Sequence, residues 1–361
     1  MIEVPTSGAA RWRRADLHMH TSFSGWRRLR LIEARDSYVT PDTAFAAARR
    51  AGMDFVCFTD HDTIDGALDF LARHPEEAPR VIVGEEVEVR FPDTRQWIHL
   101  SVFGIDERIH AEIAAARGDL FDVLALFEER RLLFSLNHPF QSFRTIRTAR
   151  RHLQAVLPRV PAVEVCNSTS PRSHRRIVES LLDARGGRRP VGIGGSDSHT
   201  ERRVAAAWTE APGETKEEFL ASLAAGVGAI GGEARGMGAL LIDLHRVIGE
   251  YYARLYGLGR RRESPLSAGS LLGSIALLPA VLLGVPTLLT ALHTARQEWI
   301  ARCGRWDRAE AARAVPVETG TALPFAASPR ATTSPRAEAP EALRAAGRAE
   351  PEPDFASSRP E

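Results

Sequence analysis

Short apolar runs alternate with longer segments of helical periodicity from residue 12 to about residue 232. The short runs are rich in Val, Ile and Phe and lie at residues 15–19, 55–59, 81–89, 98–103, 133–136, 162–165 and 191–195. Helical spacing follows at residues 41–51, 120–131, 173–184 and 216–225. Thr40 and Pro41 are typical of a helix start. Strands that alternate with helices predict an α/β domain with a parallel sheet or a barrel.

A second region, residues 236–313, has a different pattern. Apolar residues at steps of three or four predict one amphipathic helix at 236–258, packed on the barrel. From Ser264 to Ala295 there is no Asp, Glu, Lys or Arg, and the apolar core at 271–292 is long enough to cross a hydrocarbon layer of roughly 30 Å. Because Pro279 and Pro286 interrupt it, a kinked membrane span, a re-entrant hairpin and a buried dimerisation helix all fit this segment.

Composition narrows the location of the protein. The first 15 residues lack the apolar stretch of a signal peptide, and the three cysteines contain no Cys-x-x-Cys pair, so free thiols in a reducing compartment are expected. We therefore expect a cytoplasmic catalytic domain, attached to the inner face of the membrane if residues 264–295 contact lipid. Residues 316–361 are rich in Pro and Ala, have no apolar periodicity and predict a disordered tail.

The net charge of +1 excludes a general attraction to nucleic acid or to an anionic surface. The basic clusters are short and have few aromatic residues between them; they lie at 11–14, 27–30, 147–151 and 260–262. Nucleic acid is therefore expected only as a substrate.

Histidines and acidic residues gather at or near the ends of the predicted strands. Two residues apart on a strand, His18 and His20 project to the same face and can hold one ion. Further candidates follow in chain order in the motifs Thr-Asp-His-Asp at 59–62, Gly-Glu-Glu at 84–86, His99, Asn-His-Pro at 137–139 and Gly-Ser-Asp-Ser-His at 195–199. Chemistry in an α/β barrel occurs at the carboxyl ends of its strands, where these motifs fall.

Divalent cations explain such a cluster better than burial alone does. Six imidazoles and several carboxylates at one end of a barrel are costly to bury without partners. Mixed imidazole and carboxylate ligands suit Zn, Mn or Fe, whereas Mg and Ca prefer oxygen ligands.

The ordered motifs resemble the polymerase and histidinol phosphatase (PHP) superfamily over roughly residues 16–225. The resemblance implies a distorted barrel of seven strand–helix units, the PHP type of (β/α)7 TIM-like barrel, with two or three divalent metal ions. It implies a metal-dependent phosphoesterase that acts on a small phosphomonoester, a nucleotide or an oligonucleotide end through a metal-bridging hydroxide. A metal-dependent amide or C–N hydrolase and a non-catalytic, membrane-tethered metal-binding scaffold remain alternatives.

The resemblance also implies the ligands. The first metal would be held by His18, His20, Glu86 and Asp197, the second by Glu86, His99 and His138, and the third by His61 and His199. Trp26 stands where the family has a further ligand, but the segment 35–41 is similar to a family motif displaced by an insertion, so Asp36 is the candidate for the third site. Alternation along a strand separates Glu86 from Glu85, and the Gly-x-Glu spacing favours Glu86.

The remaining site residues are expectations about substrate and proton transfer. Asp197 or His199 would move the proton. Arg144, Arg172 and Arg202 follow strand-end motifs and are candidates for binding phosphate. Asn167 follows the sixth strand and is expected to line the substrate pocket.

Overall fold

The computed structural model describes residues 11–25, 32–183, 189–258, 267–304 and 306. The predicted tail at 316–361, Trp26 and the basic clusters at 27–30 and 260–262 lie outside these residues. Everything below concerns the described residues.

Nine strands in the described part of the chain form one sheet with the order β7-β6-β5-β4-β3-β2-β1-β8-β9. They are β1 (Trp12–Asp16), β2 (Phe55–Phe58), β3 (Val81–Arg90), β4 (Trp97–Phe103), β5 (Leu133–Leu136), β6 (Ala162–Asn167), β7 (Val191–Gly195), β8 (Ala207–Pro212) and β9 (Ala229–Gly232). Six of the seven predicted runs correspond to β2–β7, and the first, at 15–19, overlaps β1 only at residues 15 and 16. The mixed α/β prediction is confirmed.

The sheet curls into a nearly closed barrel. The Thr209 hydroxyl of β8 accepts a hydrogen bond from the Gly194 amide of β7 and donates one to the Gly194 carbonyl, each at 2.9 Å. Asp16 adds a second link, because its carboxylate accepts from the amides of Ser196 at 2.9 Å and Ala205 at 2.8 Å. These contacts bring the end of β1 beside the loop that follows β7, which brings their site residues together.

The barrel departs from seven repeated strand–helix units in two ways. The strand β4 runs antiparallel to both β3 and β5, because a short turn at residues 91–96 connects it directly to β3. The strands β8 and β9 were not predicted. Both run antiparallel, and β9 reads Ala-Ile-Gly-Gly, which has one large apolar side chain and no periodic signal.

Ten α-helices accompany the sheet in the described residues. They are α1 (Pro41–Arg50), α2 (Asp65–Arg73), α3 (Glu107–Ala116), α4 (Leu120–Glu129), α5 (Ile146–Val156), α6 (Arg172–Asp183), α7 (Lys216–Ala224), α8 (Gly236–Leu255), α9 (Ala268–Leu282) and α10 (Val285–Cys303). The predicted cap of α1 is confirmed, because the Thr40 side chain accepts from the Thr43 amide. The amphipathic prediction at 236–258 corresponds to α8.

The core leaves only one end of the barrel open. Phe219, Leu220 and Leu223 of α7 share a buried cluster with residues at the amino ends of the parallel strands, including Phe55 and Val191. The helix α7 therefore plugs that end, and the polar carboxyl ends of the strands face the opposite opening. A second cluster, centred on Phe127 and Leu100, fills the space between the sheet and the outer helices.

The apolar segment forms the helices α9 and α10, which meet at an angle of 68°. Gly284 lies at the bend with φ +75°, a left-handed conformation that glycine adopts without strain. Within the described residues no single helix is both long and apolar enough to cross a membrane; α9 and α10 together meet that test by length and composition.

Candidate metal centre

The first histidine pair lies just beyond β1, where the chain stays extended between two neighbouring segments. Met19 pairs with Ser198, the His20 amide donates to the Ser198 carbonyl at 3.0 Å, and the Thr59 amide donates to the Met19 carbonyl at 3.0 Å. This pairing holds His18 and His20 beside Glu86 and Asp197. Both imidazoles are buried, and their Nε2 atoms are 3.2 Å apart.

The Glu86 carboxylate is the centre of the cluster. Its side chain is 1% exposed, and five imidazoles approach it from segments that follow or include four strands, β1, β2, β4 and β5. The distances to Oε2 are 3.1 Å from His61 Nδ1, 3.3 Å from His20 Nε2 and 3.4 Å from His18 Nε2. The distances to Oε1 are 3.0 Å from His138 Nε2 and 3.2 Å from His99 Nδ1. The two oxygens therefore face two different sets of nitrogen atoms.

The set around Oε2 includes Asp197. Its Oδ1 atom lies 3.3 Å from His20 Nε2 and 3.5 Å from His18 Nε2. Two imidazoles and two carboxylates thus converge on one volume from β1, β3 and β7. The set around Oε1 consists of His99 from β4 and His138 from the end of β5.

A third set lies at the edge of the cavity. Asp36 Oδ2 is 3.4 Å from His61 Nε2 and 3.9 Å from His199 Nε2. These ligand atoms and one from His20 lie within 4.8 Å of one another. The three residues predicted for the third metal, Asp36, His61 and His199, therefore lie next to each other in the fold.

The donor atoms suit cations better than they suit one another. Glu86 Oε2 is buried and, among the described residues, makes no hydrogen bond, although three imidazole nitrogens lie within 3.4 Å. Asp36 Oδ1 is buried and likewise makes no hydrogen bond with the described residues. Buried oxygen and nitrogen atoms that lie close together without hydrogen bonds can be satisfied by a divalent ion that accepts their lone pairs.

Burial and charge act against each other in this cluster. Burial lowers the pKa of His20, but the neighbouring carboxylates of Asp197 and Glu86 outweigh it and raise that pKa to about 10. Burial also lowers the pKa of His61, to about 3, with help from the positive charges of His20 and His99. Burial opposes ionisation of Glu86, yet the surrounding histidines hold its pKa well below the ordinary value. The carboxylates remain anionic, and either protons or metal ions must balance them.

Glu164 is a residue that the sequence analysis assigned no role. One oxygen lies 2.8 Å from His18 Nδ1, and the other accepts from the His138 amide at 2.7 Å and from Asn167 Nδ2 at 3.0 Å. A carboxylate on Nδ1 leaves Nε2 as the lone pair that faces the cavity. The sequence signal for this role was a single glutamate within the apolar run that forms β6.

Asn167 lies behind the cluster instead of lining the cavity. Its Nδ2 atom donates to Asp197 Oδ2 at 3.1 Å, and Thr169 Oγ1 donates to the same oxygen at 2.9 Å. Both bonds leave Asp197 Oδ1 directed towards His18 and His20. Asn167 therefore orients a site carboxylate, in contrast to its predicted place in the substrate pocket.

Glu85 and Glu86 face opposite sides of β3, as alternation predicts. Glu85 contacts His110 of α3, with 3.0 Å between Oε2 and Nδ1. Burial raises the pKa of Glu85 to about 7, which His110 only partly offsets. Glu85 is thus a buried polar residue outside the cavity.

The cluster forms the floor of a cavity of about 660 Å³. Arg144, Arg172 and Arg202 are exposed and lie outside the residues that line it, because each follows its strand end by several residues and points to solvent. Arg117, which follows α3, does line it and is 2.9 Å from Asp62. Arg117 was not predicted from the sequence, because it follows a helix and the predicted phosphate ligands follow strand ends. Trp97, Gln141 and His293 also line the cavity, as does Arg90 of β3.

Comparison with known proteins finds two family models that match segments of the chain. The PHP domain model matches residues 16–141, and the PHP-associated model matches residues 190–227. An uncharacterized protein of Methanocaldococcus jannaschii is 32% identical over 74 residues, which are 20% of this chain and 43% of that protein. The chain thus spans less than half the length of that curated relative.

Two solved structures are similar at low sequence identity. PsfC from Pseudomonas syringae has a TM-score of 0.44 and 17% identity over 66% of this chain and 98% of its own. A proposed metal-dependent phosphoesterase from Bifidobacterium adolescentis has a TM-score of 0.36 and 19% identity over 55% of this chain and 90% of its own. The two family models cover the strands and loops that carry the histidine and carboxylate cluster, and these two segments of the chain are similar to the PHP family.

Proposed function

We propose that this protein is a metal-dependent hydrolase of phosphoesters. The observation that carries the proposal is the Glu86 carboxylate, whose two oxygens face separate sets of imidazoles within 3.0–3.4 Å. Three cation sites follow. The first takes His18, His20, Glu86 and Asp197, the second takes Glu86, His99 and His138, and the third takes Asp36, His61 and His199. Zn, Mn and Fe suit these ligands.

Divalent ions, when bound, would supply Lewis-acid charge to a phosphoryl group and lower the pKa of water. The chain contributes a rigid, negatively charged floor. The Asp197 carboxylate is held by Asn167 and Thr169, and Glu164 sets the tautomer of His18. His199 Nδ1 lies 3.0 Å from the Asp197 carbonyl, and a donor there leaves Nε2 as a lone pair towards Asp36. We therefore assign ligand roles to Asp197 and His199 in preference to proton transfer.

Arg117 is the proposed phosphate contact. It lies on the cavity wall, and its ion pair with Asp62 fixes the guanidinium at the rim. A guanidinium offers paired donors that match phosphate oxygens, and it would oppose the charge that develops on them.

Adjacent glutamates provide the test. The protein is loaded with Mn or Zn, and hydrolysis of aryl phosphate mono- and diesters is measured for wild type, Glu86→Gln and Glu85→Gln. Both substitutions remove one carboxylate from a buried position of the same strand, but only residue 86 faces the cavity. We expect Glu86→Gln to lose metal and at least about 10³-fold in kcat/KM, and Glu85→Gln to retain activity within a few-fold.

Equal activity in the two variants would refute the assigned site. Hydrolysis of amides or cyclic ureas, with no phosphoester hydrolysis and no inhibition by inorganic phosphate, would favour the alternative C–N hydrolase. Fewer than one metal ion per chain, with no hydrolysis, would favour a non-catalytic scaffold.

A further inference from the structure

The helices α9 and α10 form an apolar hairpin with an unusual distribution of side chains. Large apolar residues point to solvent along both helices and across the bend. The most exposed are Leu272, Leu282, Leu283, Leu288, Leu289 and Leu292, each at least 58% exposed. The buried positions of the two helices include Ser270, Ser274, Thr294 and Gln297. A helix that packs on a soluble core shows the opposite arrangement.

Polar contacts anchor the base of the hairpin to the protein. Ser270 Oγ accepts from the Glu33 amide at 2.8 Å, and the Tyr252 hydroxyl donates to the Ser274 carbonyl at 3.2 Å. At the far end of α10, Ile300 lies in the main core cluster and Glu298 accepts from Ser173 Oγ at 2.8 Å. The base is therefore fixed, whereas residues 282–292 carry most of the exposed leucines, with Thr287 contacting His245 of α8.

We propose that the hairpin docks on a lipid bilayer. The segment from Ser264 to Ala295 contains no charged residue, so the exposed leucines lack the polar rim of a protein interface and suit acyl chains. The 68° bend and the length of each helix suit shallow insertion of the tip better than a span. Arg296 follows the apolar stretch on α10 and is the first charged residue on the side of the hairpin that faces the protein.

Docking would place the metal cavity at the membrane surface. His293 of α10 lines the cavity, and Gly284 at the bend is nine residues away, which is about 14 Å along a helix. That distance is comparable to a headgroup layer of roughly 5–8 Å together with shallow insertion of the tip by roughly 5–10 Å. Resting on the proposed hydrolase function, the inference names the substrate class: a phosphoester carried by a lipid headgroup, which enters the cavity from the bilayer side.

Co-sedimentation with vesicles tests the docking without any catalysis. The probes are vesicles of phosphatidylethanolamine and phosphatidylglycerol. The variant Leu282→Ser/Leu283→Ser removes the apolar tip, and the matched control Phe121→Ser/Val227→Ser removes two exposed apolar residues from other surfaces. We expect the tip variant to lose at least about tenfold in vesicle partitioning and the control to match wild type.

Activity assays then separate the two proposals. On a soluble aryl phosphate, wild type and the tip variant should have the same kcat/KM. On phosphatidic acid or phosphatidylglycerol phosphate in vesicles, the tip variant should be at least tenfold slower, and the short-chain soluble forms of the same lipids should abolish the difference. If wild type binds vesicles but hydrolyses neither the soluble aryl phosphate nor the lipids, the hydrolase function is refuted and the docking proposal stands.

Three outcomes would overturn the inference. The first is wild-type protein that stays entirely in the supernatant with vesicles. The second is a stable dimer that the Leu282→Ser/Leu283→Ser variant dissociates, because a second copy would then cover the hairpin. The third is equal rates for wild type and tip variant on vesicle-borne phospholipids.

Discussion

The substitution Glu164→Gln replaces one carboxylate oxygen by an NH2 group next to His18, a ligand of the first proposed metal site. It tests whether Glu164 sets the tautomer of His18. One carboxylate oxygen accepts from two donors, the His138 amide and Asn167 Nδ2, and the other lies 2.8 Å from His18 Nδ1. The Gln carbonyl oxygen must take the first position, because an NH2 group there would face two donors. The Gln NH2 group then points at His18 Nδ1.

An amide donor at Nδ1 favours the tautomer that carries its proton on Nε2. That proton would occupy the position from which Nε2 faces Glu86 and Asp197. Loss of such an orienting carboxylate typically weakens metal binding by 10- to 100-fold, or about 1.4–2.7 kcal/mol. We expect a loss of that size at the site that contains His18, with little change in the apoprotein fold.

Competition with a chromophoric chelator measures the affinity, and metal analysis gives the number of ions bound. Glu179→Gln on α6, which removes an exposed partner of Arg175, is the control. Affinity within twofold of wild type in Glu164→Gln would refute the tautomer argument. An equal loss in the control would show that the effect is not specific to the site.

Three other predictions concern the frame that holds the site. Gly195→Ala should reduce metal content, because a Cβ at 195 would collide with the His18 Cβ, whereas Gly238→Ala has open space and should not; unchanged metal content in Gly195→Ala would contradict the close approach. Arg203 is buried, donates through Nε to Asp243 at 2.6 Å and also donates to the Ser168 carbonyl. Arg203→Met should therefore lower the free energy of unfolding, measured in urea, by about 3–5 kcal/mol. A loss below about 1 kcal/mol would contradict a stabilising role for this buried ion pair. Burial lowers the pKa of His174 to about 4 from an ordinary value of 6.5, so the unfolded state takes up the proton first as the pH falls. This residue should therefore cost wild type up to roughly 3 kcal/mol of stability between pH 6.5 and 4, a loss absent from His174→Phe in urea titrations at the two pH values; parallel losses would contradict it.

The strands β1–β7 could be predicted because each carries a local signal, whereas the ligand set rested on the resemblance to the PHP superfamily. Buried strands appear as short apolar runs. Alternation places Glu85 and Glu86 on opposite faces, and the Gly-x-Glu spacing favoured Glu86. His18 and His20 could be placed on one face by their spacing of two residues. The convergence of distant motifs followed from the rule that barrel chemistry lies at the carboxyl ends of strands.

The missed features depend on tertiary geometry. The direction of β4 follows from a short turn after Arg90, and a strand's apolar pattern is the same in either direction. Arg117 reaches the cavity from the end of α3, a position that no strand-end rule marks. The role of Glu164 depends on the distance between β6 and His18, which lie 146 residues apart in the chain. The break of the apolar segment at Gly284 likewise needed the structure, since prolines suggested the interruption without its angle.

The central claim is that Glu86 lies between separate cations. Crystals grown with Mn or Zn and measured with anomalous scattering at the metal edge test it directly. We predict one peak among His18, His20, Asp197 and Glu86 Oε2 and a second between Glu86 Oε1 and the imidazoles of His99 and His138. A map of the metal-loaded protein with no peak in contact with either Glu86 oxygen would contradict the account.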